Sequence, residues 1–436
     1  MSFGYRGKSL ELLNKYGVNV GDKIFVKTNR ACFSGILMPR SEIGDDKHIV
    51  IKLEDGYNIG LSISSIIDIE KIPQETPSKI IQPSIKSIPN LPNVAIISTG
   101  GTIASRIDYR TGAVSPALSA QDLYQSIPEL GEIANIRTEI LLSLLSENML
   151  PKYWTMMAKS IKNHIEKGVE GIVLTHGTDT MGYTAAALSF SLRNLPIPVI
   201  LVGSQRSSDR PSSDAYFNLK AAVLTAAKAP FAEVGVLMHS SISDDELIVH
   251  RGTRVRKMHT SRRDAFQSIN SKPLAKIRNG NIEVYKPYKE RGGSLELKAD
   301  FNDKVVLIKC FPGMPLEIFN FLIERGYRGI VLEGTGLGHA PEYIFPYIKE
   351  AIDNGIAVVM TSQCLFGRVN MNVYSTGRIL LSMGVIPGED MLPETALVKL
   401  MWVLAQTNDL NEIKKLMLSN IAGEISERSE YGGSIL

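Results

Sequence analysis

The chain has 436 residues, 44% of them apolar and 21% charged, values that fit a soluble globular protein of about two or three domains and exclude disorder throughout. Lys plus Arg number 48 and Asp plus Glu 45, so the net charge of +3 sets up no global field of the kind that marks a general nucleic-acid binder. Cys32, Cys310 and Cys364 are odd in number and far apart, which excludes a disulfide framework or a Cys-x-x-Cys motif and points to a reducing compartment.

No apolar signal segment follows Met1, and no window approaches the roughly 18 apolar residues of a membrane span. The expectation is a cytoplasmic protein with no membrane partner. Residues 1–72 read as a small β-barrel domain: Lys23 to Lys27, Ile49 to Leu53 and Ile59 to Ile69 are β-branched and partly alternating, and Asp55-Gly56 is a hairpin signal. Barrels of this size serve recognition more often than catalysis. Residues 73–92 contain five prolines, which lack the N–H that a helix or central strand needs, and read as a linker.

From Val94 onward the pattern changes. Val94 to Ser98, Gly171 to Thr175, Pro198 to Val202 and Val234 to Met238 are near-continuous apolar runs, as in strands buried on both faces. Helices lie between them. The clearest begins near Pro151, sets Trp154, Met157, Ala158, Ile161 and Ile165 on one face and stops at Gly168. This alternation predicts right-handed crossovers in a parallel, doubly wound sheet. A polar stretch from Lys286 to Asp303 interrupts it, and a second block follows with strands at Val305 to Ile308, Gly329 to Leu332 and Ile356 to Met360. The expected fold is α/β: a small N-terminal β-barrel, a large α/β domain over 93–288 and a smaller one over 304–436.

In open parallel sheets ligands bind beyond the carboxyl ends of the strands, which directs attention to two turns. The first runs Thr99, Gly100, Gly101, Thr102, Ile103; the second runs Thr175, His176, Gly177, Thr178, Asp179, Thr180. Paired glycines allow a sharp turn with exposed amide N–H groups, and converging threonine hydroxyls beside a carboxylate suit acyl transfer. Taken alone, Gly100-Gly101 reads as a tight strand-to-helix turn or a phosphate cradle sooner than as a catalytic turn.

Together these turns resemble those of the bacterial-type L-asparaginases and their amidase relatives, whose Thr-Gly-Gly-Thr-Ile-Ala and Thr-His-Gly-Thr-Asp-Thr motifs stand intact at Thr99 to Ala104 and Thr175 to Thr180. The likeness continues through Ser146 to Met149, Val202 to Arg206, Asp214 to Leu219 and the segment around Lys257, over roughly residues 93 to 407. It implies an asparaginase-like two-domain body. It further implies Thr102 as nucleophile with Tyr109 as its activator, and Thr178, Asp179 and Lys257 as a second, triad-like catalytic group. Ser146 and Glu147 match the positions that grip the substrate's α-carboxylate and α-amino group. A threonine hydroxyl is a poor nucleophile at neutral pH, and a partly desolvated lysine is a plausible helper.

The N-terminal extension narrows the resemblance to the D subunits of archaeal glutamyl-tRNA(Gln) amidotransferases, which Gly367 to Tyr374 and the Leu397 to Trp402 helix also resemble. That likeness implies an amidase, a glutaminase or asparaginase, that frees ammonia from Gln or Asn. A partner, the amidotransferase E subunit, would use it, with ATP and Mg, to convert Glu-tRNA(Gln) to Gln-tRNA(Gln). The chain itself would carry no cofactor and no metal, and would form a homodimer within a heterotetramer. Two other readings stand beside it: a cytoplasmic L-asparaginase with a regulatory barrel, and a non-catalytic tRNA-binding scaffold.

Other features have blander readings. His176 in the second turn could be a general base, but the resemblance makes it a packed turn residue, and the remaining histidines, among them His250 and His259, lack zinc spacing. Gly334 to Gly338 mimics part of a dinucleotide fingerprint without its full spacing, and the resemblance makes it a loop bordering an active site across a dimer contact. Cys364 reads as a buried thiol. The basic run Arg251, Arg254, Arg256, Lys257, Arg262, Arg263 is either a phosphate-attracting patch or one lysine among solvated charges.

Overall fold

The computed structural model describes residues 4–38, 40, 45–53, 58–72, 88–100, 105–108, 113–116, 127, 129–206 and 213–428. Asp55-Gly56 and residues 73–87 of the proline-rich stretch lie outside them.

The N-terminal domain is a helix, Gly7–Lys15, and a five-stranded antiparallel sheet built from Lys23–Thr28, Cys32–Leu37, His48–Leu53, Asn58–Ser62 and Ile66–Lys71. The last strand folds back to pair with the first. Alternate residues Ile24, Val26, Leu37, Ile49, Ile51 and Ile69 form the core with Leu13 of the helix. Where the sequence predicts one strand from Ile59 to Ile69, there are two, split by a 3₁₀ turn at Ile63–Ser65. The cause is local: the Ser65 hydroxyl donates to the Ser62 carbonyl at 2.7 Å, giving the backbone an alternative to the ladder. The strand Cys32–Leu37 escapes sequence reading because Gly35 interrupts its pattern. A Cβ there would stand 2.2 Å from the Lys52 carbonyl oxygen of the adjacent strand, so the close approach requires glycine.

The central sheet has eight strands in the order Asn281–Val284, Ala275–Arg278, Glu246–Arg251, Val234–His239, Val199–Val202, Gly171–Thr175, Asn93–Gly100, Asn135–Leu144. The last five are parallel, as the buried apolar runs predict. The first three add an antiparallel extension that departs from the all-parallel expectation. Its outer hairpin turns at Asn279-Gly280, both with positive φ (50° and 76°), the Asn-Gly signature of a two-residue turn.

The apolar runs are continuous because the sheet is covered on both faces. Ile96, Val173, Ile200 and Val202 pack in one layer with the helix Ala215–Lys228. Ala95, Ile97, Ile172, Leu174, Val199 and Leu201 pack in the other with the helices Pro151–Glu166 and Met181–Ser191. Each such fully buried aliphatic side chain contributes about 1.5–3 kcal/mol of transfer free energy. The helix Pro151–Glu166 buries Trp154, Met157, Ala158 and Ile161 as expected, but His164 takes the next inward place in front of Ile165. That histidine is paired with Glu139 at 2.6 Å.

The C-terminal sheet is parallel and follows chain order: Val305–Lys309, Gly329–Gly334, Ala357–Ser362, Ile386–Pro387. One shared core joins the two sheets' units, with Trp154 and Phe190 of the first meeting Trp402 of the helix Pro393–Leu404. The Phe190 and Trp402 rings stack at 6.0 Å. The chain then returns as residues 419–428 across the larger unit, where Thr253 donates to the Ala422 carbonyl and Arg254 to the Gly423 carbonyl. The polar stretch after Lys286 is an ordered connector, because the Arg291 guanidinium donates to the carbonyls of Ala229, Glu170, Ala226 and Ala227.

Candidate active site

The strands Asn93–Gly100 and Gly171–Thr175 are parallel neighbours with Ser98 opposite Thr175, so the chain leaves both at the same edge of the sheet. Buried Thr99 ties them together by donating to the Thr175 carbonyl at 2.8 Å. Gly100 has φ +112°, and a Cβ on it would stand 2.2 Å from the Leu144 carbonyl oxygen, a position that only glycine fills. Thr102 and Tyr109, assigned by resemblance as nucleophile and activator, lie outside the described residues.

Beyond Thr175 the chain makes the 3₁₀ turn Thr178–Thr180 and enters the helix Met181–Ser191. Lys257 arrives from elsewhere, at the end of the short strand Val255–Lys257 that pairs with Phe266–Ser268. Its Nζ donates to Thr178 Oγ1 at 2.8 Å and to Asp179 Oδ1 at 2.8 Å. Three residues that the sequence singles out as a group are therefore in mutual contact, across 79 positions of chain. Ser146 is also brought in: it is buried, and its carbonyl accepts the Thr180 hydroxyl at 2.7 Å. Gly177 makes room for it, since a Cβ there would meet the Ser146 Cβ and Oγ at 2.8 Å. Glu147 sits beside Ser146 in the 3₁₀ turn Ser146–Asn148, exposed to solvent.

His176 is fully buried within a line of hydrogen bonds. Trp154 Nε1 donates to Thr184 Oγ1 at 3.1 Å, the Thr184 hydroxyl meets His176 Nε2 at 2.9 Å, and His176 Nδ1 meets the Gly177 carbonyl at 2.7 Å. Because a carbonyl only accepts, Nδ1 carries the proton and Nε2 receives the threonine hydroxyl. Burial pushes the imidazole pKa down to about 4, so the ring is neutral and its nitrogens are already engaged. That fits a packed turn residue.

A second set of side chains escapes sequence reading. Gly203, just past the strand Val199–Val202, lies so close to the turn that a Cβ on it would stand 2.8 Å from the His176 carbonyl and from Thr178 Cγ2. Its carbonyl accepts Asn218 Nδ2 at 2.9 Å, and buried Asp214 accepts the N–H groups of Gln205 and Arg206. The two ring nitrogens of His239 bridge Asn218 (2.7 Å) and Asp244 (3.0 Å), and Asp244 pairs with Arg263 at 2.5 Å. This line connects the Gly203 turn, on one side of Thr178, to the loop that follows Lys257. The available signal is Asp214 and Asn218 at helical i,i+4 spacing with a histidine closing a buried strand.

The structure decides the basic run, because all six cations face carboxylates. Arg251 pairs with Glu233, Arg254 with Asp390, Arg256 with Glu394, Lys257 with Asp179, Arg262 with Asp264 and Arg263 with Asp244, at distances from 2.5 to 3.2 Å. It is a set of compensated charges. Cys364 is exposed, in contrast to the buried thiol expected, since it follows the end of the strand at Ser362 and its N–H donates to the Ser362 hydroxyl. Among the described residues no cluster of three or more His, Cys, Asp or Glu side chains is placed to hold a metal ion. No helix among them is long and apolar enough to cross a membrane.

Three family models match the chain: "Asparaginase, N-terminal" over residues 93–290, "Glutaminase/Asparaginase C-terminal domain" over 304–417, and "GatD N-terminal domain" over 18–72. Among curated relatives, the glutamyl-tRNA(Gln) amidotransferase D subunit of Methanopyrus kandleri is 52% identical, with 98% of this chain and 96% of that protein covered. The D subunit of the Pyrococcus furiosus enzyme is 53% identical, with 95% and 97% covered. Among solved structures, the thermostable L-asparaginase from Thermococcus kodakarensis superposes with a TM-score of 0.70 at 38% identity, covering 77% of this chain and 100% of that one. L-asparaginase I from Vibrio cholerae gives 0.67 at 32%, covering 77% and 99%. By its fold, its two threonine turns and its N-terminal domain, the chain belongs to the asparaginase family, in the branch of the glutamyl-tRNA(Gln) amidotransferase D subunits.

Proposed function

We propose that this chain is the amidase subunit of a cytoplasmic glutamyl-tRNA(Gln) amidotransferase. It frees ammonia from glutamine or asparagine, and the partner E subunit uses ATP and Mg to convert Glu-tRNA(Gln) to Gln-tRNA(Gln) with it. The observation that carries this reading is the match to D subunits over nearly the whole chain, N-terminal domain included, where the asparaginase structures cover 77%. The same observation sets aside a free L-asparaginase with a regulatory barrel. The Thr178–Lys257–Asp179 contacts argue against a scaffold without chemistry.

In the proposed reaction Tyr109, as its phenolate, takes the Thr102 hydroxyl proton while the oxygen attacks the side-chain amide carbon, and it returns that proton to Thr102 when the ester is cleaved. Backbone N–H groups of the Gly-rich turn receive the developing oxyanion. The C–N bond then breaks and the nitrogen must gain a proton to leave as ammonia. Lys257 donates to Thr178 Oγ1, which leaves the Thr178 hydroxyl hydrogen for another acceptor, and Thr178 passes it to the departing nitrogen while Lys257 replaces it. Water hydrolyses the resulting ester and its proton returns along the same pair. Among the described residues Asp179 meets Lys257 through Oδ1 alone, so its second oxygen is available to a substrate ammonium, with Ser146 and Glu147 alongside. The chain works as a homodimer and carries no cofactor of its own.

Ammonia release from glutamine and from asparagine, measured alone and with the E subunit and Glu-tRNA(Gln), tests this reading. The expected result is Gln-tRNA(Gln) formation that needs this chain, the partner and ATP together. Rapid asparagine hydrolysis with no transamidation in the full mixture would restore the free asparaginase.

A further inference from the structure

Away from the threonine turns, the return of the C-terminal segment over the larger unit encloses a cavity of about 430 Å³. Two of its wall residues, Arg251 and Arg254, are spoken for by Glu233 and Asp390. Three others are not: Lys272, Lys286 and Arg428 are exposed and have no ion-pair partner among the described residues. They come from three separate stretches of chain. Against these three positive charges the lining offers one carboxylate without an ion-pair partner among the described residues, Glu427. The Ser271 hydroxyl, also in the lining, is shielded from solvent and has no hydrogen-bond partner.

We propose that this cavity is a phosphate site, which takes a phosphate group carried either on RNA or on a free nucleotide. Convergent lysine and arginine side chains supply the charge, and the two neutralised arginines form part of the wall. The volume exceeds what one phosphate needs and leaves room for the attached sugar. Its unpaired charges lie outside the basic run read in the sequence, which contributes only the paired Arg251 and Arg254 to the wall. The RNA source rests on the amidotransferase reading, and the nucleotide source does not.

The test compares the full-length chain with its Lys272→Ala/Lys286→Ala/Arg428→Ala variant. Unfractionated tRNA is titrated by fluorescence anisotropy at several salt concentrations, AMP and inorganic phosphate by calorimetry, and free-amide hydrolysis is followed in parallel. If the source is RNA, the variant binds tRNA about tenfold more weakly, and the slope of log affinity against log salt falls by about 2 to 3. If the source is a nucleotide, tRNA binding is unchanged while AMP and phosphate binding disappears. Lys272→Arg/Lys286→Arg in place of the two alanine changes should restore either. Unchanged binding of all three probes overturns the proposal. Because all three positions are exposed, amide hydrolysis should stay at the parent level, so loss of phosphate binding and loss of the amidase reading are told apart in one experiment.

Discussion

Lys257 and Lys399 both face a carboxylate at short range, and they differ in what is left over. Lys399 is fully buried: its three N–H groups go to the carbonyls of Met417 and Ser419 and to Glu424, itself fully buried and holding the N–H groups of Ile421 and Ala422. Burial pulls the Lys399 pKa down and Glu424 opposes it. Nothing in that pair is free to meet a substrate. Lys257 has two of its three donors engaged, at the mouth of a sheet, and its Asp179 partner has a side chain 66% exposed. The first pair fastens the returning C-terminal segment, and the second keeps donors and acceptors open for chemistry. A lysine–carboxylate contact is thus assigned by its unsatisfied valence rather than by its distance.

That contrast can be broken at either lysine. Lys257→Met should lower amide hydrolysis by about 10³-fold or more, with the urea midpoint nearly unchanged, since a proton relay is lost and little packing is. Lys399→Met leaves Glu424 buried without a cation and should cost about 3–5 kcal/mol in urea unfolding, while activity per folded molecule persists. Adding Glu424→Gln should recover part of that loss. If Lys399→Met instead lowers kcat without destabilising the chain, the assignment of roles is reversed.

Acid should separate buried neutral groups from paired surface ones. Burial lowers the pKa of His176 to about 4 and of His250 to about 3, below the ordinary 6.5. The unfolded chain therefore binds protons first as pH falls. Their contribution is complete above pH 6.5 and is lost on acidification, at about 1.4 kcal/mol per pH unit for each histidine, down to about pH 4 and 3. Unfolding free energies from urea titrations between pH 7 and 4.5 should fall by that amount for each histidine, and His176→Asn should reduce the fall. The smallest effect belongs to Arg262, whose pair with Asp264 is exposed: Arg262→Ala should change stability by less than about 0.5 kcal/mol and leave amide hydrolysis intact.

Much of the parallel sheet was legible because strands buried on both faces have no choice but apolar residues at every position, as at Val199–Val202. The Thr178, Asp179 and Lys257 grouping was legible through resemblance alone. No periodicity connects Lys257 to a turn 79 residues earlier. What stayed hidden depends on distant partners. Arg254 reads as one more charge in a basic run until Asp390, 136 residues on, is packed against it. The antiparallel strands Ala275–Arg278 and Asn281–Val284 do alternate apolar and polar residues around Asn279-Gly280, a hairpin signal that the reading of the sequence passed over because each strand is only four residues long. The line from Asp214 through His239 to Arg263 is likewise a product of three elements meeting.

The central claim is that Thr178 and Lys257 move a proton rather than hold the fold, and one comparison tests it most directly. Ammonia release from glutamine at saturating substrate should be measured for the parent chain, Thr178→Val and Thr178→Ser, with thermal midpoints from the same preparations. Valine keeps the volume and removes the hydroxyl, so kcat should fall by about 10²-fold or more at an unchanged midpoint, and serine should restore most of it. A valine variant that turns over within tenfold of the parent, or one whose loss of activity follows its loss of stability, would contradict the account.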